Sequence, residues 1–397
     1  MSELHRGLRP ESRIVHPSVE EVAVSRPLGV PLHQGHVFAF PDSDALAHAF
    51  HGPDRGFLYN RHGNPTVRSL ERAVADLEGG AAALAASSGM GAINTVLLGL
   101  LRSGDHVIAQ RSLYGGTFAT LADLAARWGV EVTRVGGDDP EEVREALRPT
   151  TRLLYLETVS NPVARVTDLP ALIAVAREAG VLSVVDNTFP TPLLCRPIEH
   201  GADIVIHSAT KYLGGHSDVL AGVAVFADAD LYHRVWHHSV ELGAALDPFA
   251  AWLTLRGMQT LGLRVRQHCA SALDLAGRLA AHPAVGTVHH PGLPGHPDHE
   301  LARRLLPDGQ GGVFAFDLAG GREAARTFVG EVRLASLAPS LGGVHTLILH
   351  SASTTHRQLS DEELTAAGIG PGTVRIAVGI EHTEDLWADL EQALAKL

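Results

Sequence analysis

Ala202-Asp-Ile-Val-Ile-His-Ser-Ala-Thr-Lys-Tyr-Leu-Gly-Gly-His216 decides how this chain is read. It begins as a buried strand, with Ile204, Val205 and Ile206 in succession, and breaks into small hydroxyl residues. One lysine follows, Lys211, and then the glycine turn Gly214-Gly215. An ammonium just past the end of an apolar strand is unfavourable unless something uses the amine. The use this setting favours is nucleophilic, because a desolvated, partly deprotonated lysine amine condenses with an aldehyde. Ser208 and Thr210 beside it offer hydroxyl donors suited to a phosphate. In isolation, Ser-x-Thr-Lys reads more simply as a surface lysine after an edge strand. The rest of the chain overturns that simpler reading.

Upstream, strands and helices alternate. The spacing of Val67, Leu70, Val74 and Leu77 predicts a helix over Pro65 to Glu78, with Pro65 at its start and Gly79-Gly80 after its end. Further helices are predicted from Ser88 to Leu101, Thr117 to Trp128, Pro140 to Leu147 and Pro170 to Ala179. Between them fall short apolar strands at Ala81 to Ala86, His106 to Ala109, Glu131 to Val135, Arg152 to Leu156, Leu182 to Val185 and Asp203 to Ile206. Such alternation marks a mostly parallel sheet covered by helices, and ligands of such sheets collect at the carboxyl ends of the strands. Ser87-Ser88-Gly89, Glu157, Asp186 and Ser208 to Lys211 each follow a predicted strand.

Downstream, Leu231 to His282 is mostly helical and leads to a second unit. Short strands (Thr287 to His289, Val313 to Leu318, Thr346 to Leu349, Thr373 to Ala377) mix there with helices at Arg322 to Val329, Asp361 to Ala366 and Thr383 to Lys396. This pattern is α+β with an antiparallel sheet. Residues 1 to 62 hold few periodic segments, with a candidate strand over Leu32 to Phe40 and a short helix from Asp42 to His51, and read as an arm lying on another surface. The expected division is therefore an arm over 1–62, a large domain over 63–256 and a small domain over 257–397.

Composition narrows the partners. In 397 residues, 44 acidic side chains face 32 lysines and arginines, a formal net charge of −12 that argues against nucleic acid or an anionic membrane surface. An apolar content of 45% fits a soluble globular chain, and no apolar run reaches membrane-spanning length without interruption. Met-Ser-Glu-Leu-His-Arg lacks the layout of a secretory signal, and two cysteines, Cys195 and Cys269, make no disulfide framework, so the expected compartment is the cytoplasm. His289-His-Pro-Gly-Leu-Pro-Gly-His-Pro-Asp-His299 is histidine-rich, but its prolines and irregular spacing fit no metal site, and no metal is expected.

The candidate groups are those a pyridoxal-phosphate (PLP) site needs: a lysine for the aldehyde, a carboxylate for the pyridine nitrogen, a phosphate cradle and an aromatic ring. Lys211 is the first and Asp186, ending a strand, the second. Ser88-Gly89-Met90 opens a helix, whose free N–H groups and dipole suit a phosphate. Tyr114, before Gly115-Gly116, can lie flat on the ring. Alone, each has a plain structural use as a cap, a turn or a packed tyrosine.

Together these stretches spell out a family. Tyr59-Asn-Arg-His-Gly-Asn-Pro-Thr66, Ser87-Ser-Gly-Met-Gly91, Leu113-Tyr-Gly-Gly-Thr117, Glu157 with Asn161-Pro162, Asp186-Asn-Thr188, His207 to Asp218, Ser340-Leu-Gly-Gly343 and Arg375 to Glu381 occur in family order. From about residue 25 onward the chain resembles the Cys/Met-metabolism PLP enzymes, the cystathionine γ-synthase, cystathionine γ-lyase and methionine γ-lyase group. The resemblance implies the PLP-dependent aminotransferase-like fold (fold type I). It implies that Lys211 carries the cofactor and moves protons, Asp186 holds the pyridine nitrogen, and Tyr114 stacks on the ring and helps expel the leaving group. Ser88, Gly89, Met90, Thr188, Ser208 and Thr210 line the cofactor, while Tyr59 and Arg61 reach the phosphate of the neighbouring subunit. A homodimer would thus complete the site, in a homotetramer of two such dimers. Arg375 clamps an amino-acid carboxylate, helped by Ser340 and Asn161, with His345 on the substrate side.

What the resemblance implies for activity is γ-elimination from a homoserine-, methionine- or cystathionine-type amino acid, or alternatively γ-replacement. A catalytically weak PLP-binding scaffold and a β-eliminating enzyme are the competing classes. Departures from the family pattern cluster on the substrate side. Gly116 stands where methionine γ-lyases usually have cysteine, His345 where cystathionine-handling members have glutamate, and Ala377 where a serine is usual. Asn60, Val159 and Ser351 depart as well. An altered substrate, of the kind met in secondary metabolism, is the expectation.

Overall fold

Short runs of alanine, valine, leucine and isoleucine, each ended by a polar or glycine residue, become the strands of a seven-stranded sheet. In the computed structural model, which describes residues 9–16, 27–354, 362, 364 and 368–397, these are β1 (Ala82–Ala86), β2 (His106–Gln110), β3 (Glu131–Val135), β4 (Thr151–Glu157), β5 (Leu182–Asp186), β6 (Ile204–His207) and β7 (Gly222–Phe226). Their order is β1-β7-β6-β5-β4-β2-β3. All pairs from β6 to β3 are parallel, and β7 runs antiparallel to both β6 and β1. The first six strands therefore point one way and bring their carboxyl ends to one edge.

The helices sit where the periodicity puts them. Asn64 accepts the N–H groups of Thr66 and Val67, Pro65 opens the helix Pro65–Glu78, and Gly79 closes it in a left-handed turn (φ +79°). This capping satisfies donors that the first turn leaves bare. Apolar clusters cover both faces of the sheet: Leu154, Leu156, Val185 and Val205 on one, and Leu153, Tyr155, Val184 and Ile206 on the other.

The second sheet is built from β8 (Val285–His289), β9 (Val313–Leu318), β10 (Ser336–Leu337), β11 (Leu347–His350) and β12 (Thr373–Ala377), in the order β10-β11-β12-β9-β8. Its pairs are antiparallel apart from β10 with β11. Phe314, Phe316, Phe328, Ile376, Leu386 and Leu390 form its own core. The helix Leu261–Ala280 joins the two halves. Its buried Arg264 donates to the carbonyls of Tyr212 and Gly257 at 2.8 Å each, and its His268 Nδ1 lies 2.7 Å from the Val378 carbonyl. The loop after Lys211 and the end of β12 are thereby held to one rod.

Three readings of the sequence change. The strand β7 was hidden in the segment after Lys211, because an antiparallel closing strand has no helix before it to announce it. Leu32 to Phe40 forms no strand, only a single bridge from Val37 to Tyr59, since Val37 is 66% exposed and has no apolar layer to lie on. The helix His299–Leu305 follows the histidine-rich loop, unannounced by a long apolar stripe. The helix expected over Asp361 to Ala366 falls outside the described residues apart from 362 and 364. Among the described residues no helix is long and apolar enough to cross a membrane.

Leu154 is fully buried on β4, the strand that ends at Glu157. Leu154→Ala is expected to lower stability by about 2–5 kcal/mol, the range for an aliphatic truncation that leaves a cavity. The denaturant midpoint against wild type checks it.

Candidate active site

Every strand end that faces the carboxyl edge contributes one chemical group. After β6, the chain folds back so that Lys211 N–H donates to the Ser208 carbonyl at 3.0 Å. Among the described residues the Lys211 ammonium has no carboxylate partner; its Nζ donates to Ser340 Oγ at 2.8 Å. Burial first, and the positive charge of Arg375 second, hold its pKa below the ordinary lysine value. The amine is thus poised toward its neutral, nucleophilic form. Of the 397 residues only two are lysines, Lys211 and Lys396.

Arg375 sits in the middle of β12 and is 4% exposed. It donates to Asn161 Oδ1 at 3.2 Å and to the Ser340 carbonyl at 2.6 Å, while its Nε is buried without a partner. No ion pair joins Arg375 to a carboxylate among the described residues, and burial pulls its guanidinium down to about 10. A buried cation with an idle donor is a receptor for an anion. Ser340, held at φ +134°, serves both Lys211 and Arg375, one with its hydroxyl and the other with its carbonyl.

At the end of β1, Ser88 caps the helix Gly89–Leu100 by accepting the Gly91 N–H at 2.9 Å. Among the described residues, the N–H groups of Gly89 and Met90 meet no acceptor. A Cβ on Gly89 would lie 2.8 Å from Ser208, so only glycine lets these two segments form one narrow cradle. Thr210 is less free than its sequence position implies: its hydroxyl donates to the Ala221 carbonyl at 3.1 Å and accepts the Ala221 N–H. The Thr188 hydroxyl accepts the Ser208 N–H at 2.9 Å, tying the β5 and β6 ends together.

Asp186, ending β5, accepts the Thr188 N–H at 3.0 Å. Burial raises its pKa, against the hydrogen bonds from Thr188. Tyr114 is half exposed and opens the helix Gly115–Trp128; its N–H donates to Glu157 Oε1 at 2.6 Å. Glu157, the last residue of β4, was legible as a strand end but carried no role in the sequence. Behind this edge a buried network runs from Glu78 Oε1 to His207 Nε2 (2.6 Å) and Asn187 Nδ2 (3.0 Å), and from Asn187 Oδ1 to the Thr158 hydroxyl (2.8 Å). Only tertiary contact could reveal it, since Glu78 and His207 lie 129 residues apart.

The structure does not bring Tyr59 and Arg61 to this cradle within one chain. Arg61 donates to the Val240 carbonyl at 2.7 Å and lies over the Tyr59 ring, and Tyr59 is 42% exposed. His345 is exposed, and among the described residues no hydrogen bond fixes it. The histidines of the 289–299 loop serve the loop itself: His289 meets Asp317, His299 meets the Pro291 carbonyl, and His290 and His296 accept the N–H groups of Gly292 and Asp298.

A family model described as Cys/Met metabolism PLP-dependent enzyme matches residues 11–395. The chain belongs to that family. Among curated relatives, an L-methionine γ-lyase of Porphyromonas gingivalis is 46% identical over 375 residues, covering 93% of each chain. A solved cystathionine γ-synthase of Xanthomonas oryzae pv. oryzae is 39% identical, with a TM-score of 0.91 over 98% of each chain. A putative O-acetylhomoserine (thiol)-lyase of Campylobacter jejuni is 32% identical, with a TM-score of 0.93 over 98% of this chain and 100% of that one, and its structure contains N′-pyridoxyl-lysine-5′-monophosphate. The protein is a PLP-dependent enzyme of Cys/Met metabolism.

The residues present fit that cofactor. The desolvated amine, the free N–H groups of Gly89 and Met90, the narrow cradle at Ser208 and the Asp186 carboxyl all lie along one sheet edge. One substrate-side departure also acquires a physical meaning: a Cβ at Gly116 would stand 2.5 Å from the Tyr114 ring and 2.7 Å from the Met90 sulfur. A cysteine there would displace one or the other.

Because the charge of Arg375 helps lower the Lys211 pKa, Arg375→Leu is expected to raise the pH at which Lys211 becomes reactive. Removing a neighbouring cation favours the protonated amine, so the midpoint moves up. Mass spectrometry of Lys211 acylation against pH, in cofactor-free protein, measures the shift.

Proposed function

We propose that the enzyme performs γ-elimination on a γ-substituted L-amino acid of the homoserine, methionine or cystathionine type. The observation that carries this reading is the pairing of a desolvated Lys211 amine with Arg375, a buried guanidinium that has, among the described residues, a free donor and no carboxylate. An α-amino acid brings the carboxylate that Arg375 lacks and places its Cα next to Lys211.

When bound, PLP supplies an aldehyde for an amine and a ring that stores the electrons left when a proton leaves Cα. Lys211 is the group that removes and returns protons along the substrate chain, with Ser340 Oγ as its resting partner. Asp186 would keep the pyridine nitrogen protonated. Gly89, Met90 and Ser208 would hold the phosphate, with the Ser88 and Thr210 segments shaping the cradle. Tyr114, exposed at the mouth, is placed to give a proton to the departing γ-group. Arg375, Asn161 and Ser340 orient the carboxylate. Substrate and water then leave as a ketoacid, ammonia and the protonated γ-group.

The chain is organised as an arm over 1–62, a large domain over 63–256 and a small domain over 257–397, and works as a homodimer within a homotetramer. Tyr59 and Arg61 reach the neighbouring subunit's cofactor. Exposed apolar side chains along the arm, Leu28 at 88% and Val37 at 66%, support this docking. The substrate-side departures at Gly116, His345 and Ala377 support an unusual γ-substituted amino acid as the preferred substrate.

Borohydride treatment of the holoenzyme is expected to fix a pyridoxyl group on the Lys211 peptide and not on Lys396. Lys211→Ala is expected to lower kcat by about 10³-fold or more, at the upper part of the range for a positioned proton-transfer group. A panel of cystathionine, methionine, O-acyl-homoserines and γ-halo amino acids, run with and without thiols, should release ketoacid and ammonia without any thiol. Product that forms only with an added thiol would assign γ-replacement instead, and a clear preference for cystathionine would remove the case for an altered substrate.

A further inference from the structure

Two carboxyl side chains stand side by side where β4 and β5 end, for Glu157 and Asp186 are register partners on adjacent parallel strands. Such strands lie roughly 4.8 Å apart, and register partners point to the same face. Two carboxylates this close in a desolvated setting do not both stay ionised; one takes a proton. Hydrogen bonding decides which. Asp186 accepts from the Thr188 N–H at 3.0 Å and also faces the Thr188 hydroxyl and His207, all of which favour its charged form. Glu157 receives one donor, the Tyr114 N–H at 2.6 Å on Oε1. Among the described residues its other neighbours supply no cation. Gln110 from β2 accepts the Glu157 backbone N–H at 2.9 Å, the Thr167 hydroxyl donates to its backbone carbonyl at 2.6 Å, and Tyr155 on the same strand is a buried phenol. Burial, and then the charge of Asp186, hold the Glu157 carboxyl well above the usual carboxylate range.

We propose that Glu157 is a positioning residue that works as a neutral acid: it leaves the single charge of the pair on Asp186 and uses Oε1 to fix the turn that carries Tyr114. This rests on the PLP reading above, in which the Asp186 charge serves the pyridine nitrogen. What position 157 then requires is an acceptor oxygen at the reach of a glutamate, without charge. Glutamine provides that. Aspartate is one methylene too short to hold Tyr114 in place. At high pH Glu157 loses its proton, a second negative charge appears beside Asp186, and one of the two must reorganise.

The test compares wild type, Glu157→Gln and Glu157→Asp as holoenzymes, with folding checked by circular dichroism. Infrared spectra of wild type at neutral pH are expected to show the carbonyl stretch of a protonated carboxylic acid that E157Q lacks, in both loaded and cofactor-free protein. E157Q should keep kcat within about threefold of wild type, whereas E157D should lose about tenfold or more through misplacement of Tyr114. The alkaline change in the visible spectrum of bound cofactor that tracks loss of the infrared band in wild type should be absent from E157Q. A folded E157Q as impaired as E157D, or a wild-type spectrum whose protonated-carboxyl band survives in E157Q, overturns the proposal. Because the infrared band is also read without cofactor, its failure is separate from a failure of the PLP reading, which would show as protein that stays colourless after reconstitution.

Discussion

A desolvated amine and a buried guanidinium share one space with, among the described residues, no carboxylate to neutralise either, and the site depends on that constraint. Among the described residues, the side chains of Lys211 and Arg375 are served only by a hydroxyl, a carboxamide and a carbonyl, all uncharged. Their mutual repulsion in a low-dielectric setting favours the neutral amine and leaves Arg375 with an unmet demand for an anion. One arrangement therefore lowers the pKa of the amine and leaves a buried guanidinium with an idle donor beside it. A carboxylate inserted between them would stabilise the protein and remove the chemistry.

Holding a desolvated amine beside a buried guanidinium requires a stiff frame. The frame is a set of parallel strands whose carboxyl ends coincide, so that Ser88, Tyr114, Glu157, Asp186 and Lys211 meet although they are spread over 124 residues of sequence. Behind them, Glu78, His207, Asn187 and Thr158 form a buried polar network, which is rigid when satisfied and unfavourable when broken. On the other side, the helix Leu261–Ala280 couples the Lys211 loop to β12 through Arg264 and His268. Burial lowers the His268 pKa to about 4, so it stays neutral and its Nδ1–H can donate to the Val378 carbonyl.

The charges on the acidic side answer those on the basic side. Asp186 and Glu157 are register partners at the ends of adjacent parallel strands, so two carboxyl groups share one desolvated edge. Each half of the site thus carries an imbalance: a buried guanidinium beside a desolvated amine on one side, and two buried carboxyl groups on the other.

Most of the groups at the sheet's carboxyl edge could be placed along the chain, because they are local motifs at strand ends: a lysine after Ile204-Val-Ile206, an aspartate after Leu182-Ser-Val-Val185, and a glycine-opened helix after β1. Period and capping likewise determined the alternation of strands and helices, down to Asn64, Pro65 and Gly79 around one helix. What only the tertiary structure decided are pairings between distant residues. It placed β7 between β1 and β6, brought Ser340 to Lys211 across 129 residues, set Glu157 under Tyr114, and directed the Thr210 hydroxyl to Ala221. It also left Tyr59 and Arg61 facing away from the cradle of their own chain. Local sequence carries periodicity and turn chemistry, whereas the protonation state and partner of a buried group depend on which other charges the fold packs against it.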